Sequence, residues 1–193
     1  MARDRASRPE ARPLRLFVAV DVPEDVRALV QEAVRPTRER FPRARWVPAQ
    51  NQHVTLKFLG RTWPRLAEWV TSTVGEVAAR AAPFSTRVEG IGAFPSARRA
   101  RVLWAGLDDG DGRIGGLASD LDAALASEFE PEKRAFTPHL TVARFDPPVA
   151  LEDAVPDVRG DTFDVDRLVL YRSHLQRPSP VYEILEAFPL GGV

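Results

Sequence analysis

Two histidines of this chain are followed, two residues on, by threonine: His53-Val54-Thr55-Leu56 and His139-Leu140-Thr141-Val142. With three histidines and nine threonines in 193 residues, chance gives any one histidine that neighbour roughly one time in twenty, and two hits among three on the order of once in a hundred. In a β-strand, residues two apart share a face. Each motif therefore presents an imidazole beside a hydroxyl, while Val54 and Leu56, or Leu140 and Val142, turn to a core. Imidazoles with reference pKa near 6.5 hold different protonation states around neutrality, so one accepts a proton while the other donates one. The threonine hydroxyls donate hydrogen bonds to an anionic oxygen without being proton-transfer groups themselves. A phosphate held between the two strands suits these four groups. Its hydrolysis requires neither metal nor cofactor, because one histidine activates water and the other protonates the departing oxygen.

Composition narrows the alternatives. There is no cysteine, which excludes disulfides, thiolate zinc sites and a cysteine nucleophile. Two isolated histidines without clustered carboxylates make a thin metal-ligand set. The 27 basic and 27 acidic residues cancel, so no global field points to nucleic acid. Arginine clusters at 35–46 and 97–101 read first as solvated surface. The N-terminal MARDRASRPEARPLR is basic without the apolar stretch of a signal peptide, and no run reaches the length of a membrane span. The expectation is a cytoplasmic protein with no membrane partner, a flexible basic N-terminus over 1–14, and a monomeric state by default.

The elements that must position the motifs follow from periodicity. RLFVAVDV (15–22) reads as a strand and PEDVRALVQEAV (23–34) as a helix. Residues 53–59, 84–94 and 101–107 read as extended, 64–81 as a helix, and about 112–129 as a third helix with Leu117, Leu121 and Leu125 on one stripe. Strands at 137–145, 161–175 and 180–188 complete the chain. Consecutive strands are often too close for helical crossovers, which predicts largely antiparallel sheets and the α+β class. A strand and a helix precede each motif, so the reading is two pseudo-symmetric lobes facing one another, one motif strand from each.

The paired motifs, with the segments RLFVAVDVPEDV, ARWVPAQNQHVTLKFLG, VEGIGAFPSARRARVLWAGL, FTPHLTVARF and LVLYRSHLQRPSPVYEILEAFPL, resemble the 2H phosphoesterase superfamily, in particular its RNA 2',3'-cyclic phosphodiesterase branch, also described as 2'-5' RNA ligases. The likeness runs from Arg15 to Leu190. It implies a single bilobal domain over 15–193, with antiparallel sheets lining a central cleft and helices packed on the outside. The activity it implies is hydrolysis of a terminal 2',3'-cyclic phosphate of RNA, or of small cyclic-phosphate nucleotides, to a 2'-phosphate. By motif position His53 is then the proton donor and His139 the proton acceptor, with Thr55 and Thr141 as phosphate ligands. Two alternatives stand beside it: the reverse joining of RNA ends through a 2'-5' linkage, and an RNA-end binding module without turnover.

Supporting residues read less uniformly. The family places a substrate-binding arginine shortly after the second motif, which maps onto Arg144; strict alternation from His139 points that side chain towards the core unless the strand twists or bulges. Lys57 shares a face with His53 by alternation but reads as a solvated lysine at a strand end. Phe17 is a candidate to stack on a nucleobase, Trp46 is ambiguous between that role and packing, and Trp104 reads as core. His174 lacks the motif and reads as a surface residue.

Overall fold

The computed structural model describes residues 12–151 and 155–191. Residues 1–11 of the expected N-terminal segment lie outside them.

The element order begins β1 (Leu14–Asp21), α1 (Glu24–Ala33), α2 (Arg35–Arg40), β2 (Arg45–Trp46), β3 (His53–Thr62) and α3 (Pro64–Arg80). It continues through β4 (Phe84–Thr86), β5 (Val88–Phe94), β6 (Ala100–Leu107) and α4 (Arg113–Ala124) to β7 (His139–Val149), β8 (Phe163–Val165), β9 (Arg167–His174) and β10 (Val181–Pro189). The α1 helix buries Val26 and Val30, with Val34 buried one turn on as its C-cap, and carries Glu24 and Asp25 in its first turn, where acids favour the helix dipole. It stops at Ala33, and Pro36 opens the short α2. The α4 helix is shorter than its leucine stripe predicts. Gly112, with φ of 68°, caps its start, and the helix ends at Ala124 with Leu125 as its C-cap.

Seven strands follow one another in the order β10-β9-β1-β3-β7-β6-β5, with β2 added against β7, and every pair is antiparallel. Reading outwards from the centre, β3-β1-β9 on one side answers β7-β6-β5 on the other. The two halves meet at one register pair, Val54 opposite Leu140. The lobes expected to face one another are thus halves of one continuous sheet. A pseudo-two-fold relation survives, since Val54 and Leu140 each stand between the histidine and threonine of a motif. Leu16, Val18 and Val20 of β1, Val54 of β3, Leu103 and Ala105 of β6 and Leu140 of β7 are buried in one connected core that includes Val70, Val74, Leu117 and Leu121 of the helices. The α3 helix packs on β9 and β10, and α4 packs on α3 and β3.

Candidate active site

Each motif strand departs from strict alternation at the same place. On β3, Val18 pairs with Lys57 and Ala19 with Thr55, leaving Leu56 as an extra residue. On β7, Leu103 pairs with Ala143 and Trp104 with Thr141, leaving Val142 extra. Leu56 and Val142 both stand three places after the motif histidine. A bulge of one residue inverts the alternation beyond it. Hence Lys57 and Ala143 turn inwards, at 6% and 0% exposure, while Phe58 turns out at 51%. Arg144 is likewise exposed, and its charge acts on both His139 and Tyr182. This corrects the core-facing direction that alternation predicts for Arg144: the bulge at Val142 returns it to the face of His139.

The two imidazoles are held alike. The His139 Nδ1–H donates to the carbonyl of Thr137 at 2.7 Å, and the His53 ring bonds the backbone of Asn51, in both cases two residues upstream. The His53 Nε2 lies 3.0 Å from the Thr55 hydroxyl. Backbone partners on one nitrogen fix the ring and leave the other for chemistry. Burial lowers the pKa of His53 to about 4; the Asn51 backbone and Asp21 counteract it, and His139 lowers it further. Burial also lowers His139, against the Thr137 carbonyl and with the Arg144 charge. Both rings are therefore neutral at pH 7 in the free protein.

Aromatic side chains wall each histidine. Phe17 stacks on His53 with centroids 4.7 Å apart, and Tyr182 meets it edge-on at 5.2 Å. Tyr171 stacks on Phe17 at 5.1 Å and donates its hydroxyl to Asp21, the β1 residue paired with His53. Burial and that carboxylate both raise the Tyr171 pKa, so it stays a donor. At 3% exposure, Phe17 is occupied with His53, Tyr171 and Tyr182; its ring has no open face for a base, contrary to the stacking expectation. Around His139, Phe94 lies edge-on at 5.2 Å and Trp104 at 6.1 Å. Trp104 pairs with Thr141 in register and shares its face, so it is half-buried beside Phe94 and His139 rather than part of the core. It packs over Gly92, where a Cβ would stand 2.2 Å from the indole.

Lys57 also departs from its reading. Instead of being solvated, it forms an ion pair with Asp122 of α4 and donates to the Glu130 carbonyl at 2.9 Å. Burial pushes the Asp122 carboxyl up, but bonds from Lys57 and the Glu132 amide outweigh it and hold the carboxyl below its ordinary value. The pair ties α4 to the segment entering β7. A cleft of about 1160 Å³ opens from Thr55 and His139, and a smaller one of about 420 Å³ adjoins His53, Asp21 and Tyr182. Among the described residues, no group of three or more His, Asp or Glu side chains is placed to hold a metal ion, and no helix is long and apolar enough to cross a membrane.

The family model of the 2'-5' RNA ligase superfamily matches residues 17–177, a span that includes both motifs. The chain belongs to that superfamily. Its relatives include an RNA 2',3'-cyclic phosphodiesterase of Thermus thermophilus, 37% identical over 190 residues that cover 93% of this chain and 91% of the relative. One of Geobacillus stearothermophilus is 31% identical over 91% of this chain, which spans only 57% of that relative's length. Among solved structures, TT0787 of Thermus thermophilus superposes with a TM-score of 0.81 at 34% identity, covering 93% of this chain and 99% of the other. E. coli LigT complexed with 3'-AMP gives 0.75 at 28%, covering 92% and 98%.

Within this superfamily member, the remaining sequence-selected side chains are peripheral. The Trp46 indole donates to the Phe41 carbonyl at 3.0 Å and lies under Arg38, so it anchors the turn before β2. His174 bonds Glu183 across β9 and β10 at 2.7 Å, in keeping with a surface role. Periodicity missed Asp21, Phe94 and both tyrosines of the chain. Tyr171 and Tyr182 lie more than a hundred residues from His53, and only strand order brings them to it; their one sequence signal is that the chain has no other tyrosine.

Proposed function

We propose that this chain hydrolyses the 2',3'-cyclic phosphodiester at an RNA end to a 2'-phosphate. The observation that carries the reading is the two-fold arrangement at Val54 and Leu140: each motif supplies an imidazole fixed through a backbone group two residues upstream and a threonine hydroxyl on the same face. Relatives named RNA 2',3'-cyclic phosphodiesterase support it, as do LigT structures complexed with 3'-AMP and with phosphate.

In this mechanism Thr55 and Thr141 donate to the non-bridging oxygens of the phosphate, and Arg144 adds positive charge beside them. The His139 Nε2 removes a proton from water as its oxygen attacks phosphorus. The P–O3' bond breaks, and the His53 Nε2–H gives its proton to the departing 3'-oxygen. The donor and acceptor assignments follow the family's motif order. Both rings are neutral in the free protein, so the acid proton enters with substrate: an anionic phosphate between the rings favours imidazolium. Phe17, Tyr171 and Tyr182 act as positioning residues for His53.

The test is product identity from a 2',3'-cyclic mononucleotide in EDTA. A 2'-phosphate as sole product supports the reading. A 3'-phosphate reverses the roles of the two ester oxygens, and absence of product refutes hydrolysis.

A further inference from the structure

The two motif histidines differ in what the neighbouring strand sets opposite them. Across the approximate two-fold, β1 answers β6: Asp21 of β1 pairs with His53, and Gly106 of β6 pairs with His139. Directly opposed residues share a face with Cβ atoms roughly 5 Å apart, so His53 has a carboxylate beside it while His139 has no side chain at all. A Cβ on Gly106 would stand 2.7 Å from the Glu89 carbonyl, which closes that position to other residues.

The half-buried Asp21 carboxylate is fixed in this place. Its only side-chain hydrogen bond among the described residues comes from the Tyr171 hydroxyl, and Tyr171 stacks on Phe17, the ring stacked in turn on His53. Asp21, Tyr171 and His53 line the same cleft of about 420 Å³. The titratable groups around the His53 ring are Asp21 on β1, Tyr171 on β9, Tyr182 on β10 and His139 on β7. Arg27 and Arg167 act on Tyr171, and Arg15 and Arg144 act on Tyr182. Asp21 is the one acid of this set. Burial lowers both histidines, and the charges then separate them: Asp21 acts on His53, whereas the charge that acts on His139 is Arg144. A nearby carboxylate favours imidazolium and a nearby guanidinium opposes it.

We propose that Asp21 is a positioning residue that sets the direction of proton transfer: its carboxylate, oriented by Tyr171, is the counter-charge for an imidazolium at His53, which makes that ring the acid and leaves His139 the base. This rests on the cyclic-phosphate reading and gives a reason, independent of motif order, for which histidine donates. The test follows both imidazoles by NMR in inorganic sulfate, a phosphate stand-in whose charge stays constant through the histidine range, beside the pH optimum of kcat for a 2',3'-cyclic mononucleotide. Asp21→Asn lowers the His53 titration midpoint by about one pH unit and moves that of His139 less. A bell-shaped profile centres midway between its two pKa values, so the kcat optimum falls by about half a unit. Tyr171→Phe takes the donor from Asp21, leaves more of its charge to His53, and moves both readouts to higher pH. A merely structural role lowers kcat in each variant and moves neither readout. An unmoved His53 midpoint in Asp21→Asn, or equal displacement of both histidines, overturns the proposal. Should Asp21→Asn not fold, Tyr171→Phe decides alone: a raised His53 midpoint supports the proposal, and an unchanged or lowered one overturns it. The NMR readout needs no turnover, so absence of product refutes the hydrolytic reading separately while the His53 midpoint still decides whether Asp21 holds the imidazolium.

Discussion

Val54 and Leu140 are opposite one another in the antiparallel pair that joins the two halves of the sheet. Each is the residue between the histidine and threonine of its motif, so an approximate two-fold axis passes between them. An antiparallel ladder with this register sets His53 level with Thr141 and Thr55 level with His139. The four groups form one unit across the axis.

Groups acting as a unit lose function non-additively. His53→Ala and His139→Ala each lower kcat for a cyclic mononucleotide by about 10²–10⁴-fold, and the double variant falls little further. Steady-state assays in EDTA check this, and a double variant whose loss is the product of the single losses contradicts the unit.

The pH profile carries a sign. The acid requires protonated His53, lowered to about 4, and the base requires neutral His139, lowered from 6.5. Since kcat/KM reports the free protein's groups, its maximum lies on the acid side of 6.5, while kcat, reporting the phosphate-bound state, peaks at higher pH. A kcat/KM maximum above pH 7.5 contradicts this.

Burial of neutral His53 also links stability to pH. Between about pH 4 and 6.5 the unfolded chain binds the proton that the folded chain refuses, so stability falls as pH falls through that window. The His53 share of the loss from pH 7 to pH 5 is about 2 kcal/mol. Urea titrations of the unaltered protein and of His53→Gln at both pH values isolate it: the variant loses less on acidification.

Gly92→Ala drives a methyl into the Trp104 indole, which leaves 2.2 Å for it. Overpacking of this kind destabilises by about 1–3 kcal/mol. The displaced indole borders His139, so kcat falls as well. Thermal unfolding and kinetics together check the pair of effects, and a variant with unaltered kcat places Trp104 outside the site.

Lys57→Met leaves Asp122 partly buried and without its cation. Removing one member of a buried pair costs about 3–5 kcal/mol; partial exposure of Asp122 brings the expectation to about 2 kcal/mol. Lys57→Met with Asp122→Leu recovers most of it. Denaturant midpoints of the two variants decide, and a single variant as stable as the unaltered protein removes the pair's structural role.

The strands and helices that carry the motifs were legible because their signals are local. Alternation over HVTL and HLTV separates polar from apolar faces with no knowledge of neighbouring strands. Valine spacing in α1 and α3 likewise marks the buried stripe within one element. Lys57, Arg144 and Trp104 were not legible for the opposite reason: their directions depend on a pairing partner. A bulge exists only where two residues of one strand oppose one residue of another, so nothing within LKF or VAR announces it.

The chain by itself determined the α+β class, the two His-x-Thr pairs and the acid–base chemistry open to them, because residue type and period act over a few neighbours. Tertiary structure alone decided that the lobes share one sheet, that the bulges at Leu56 and Val142 turn Phe58 to the cleft and Arg144 to the face of His139, and that Tyr171 and Tyr182 enclose His53. Those outcomes arise from strand order and register, which join segments more than a hundred residues apart, and no local period encodes them.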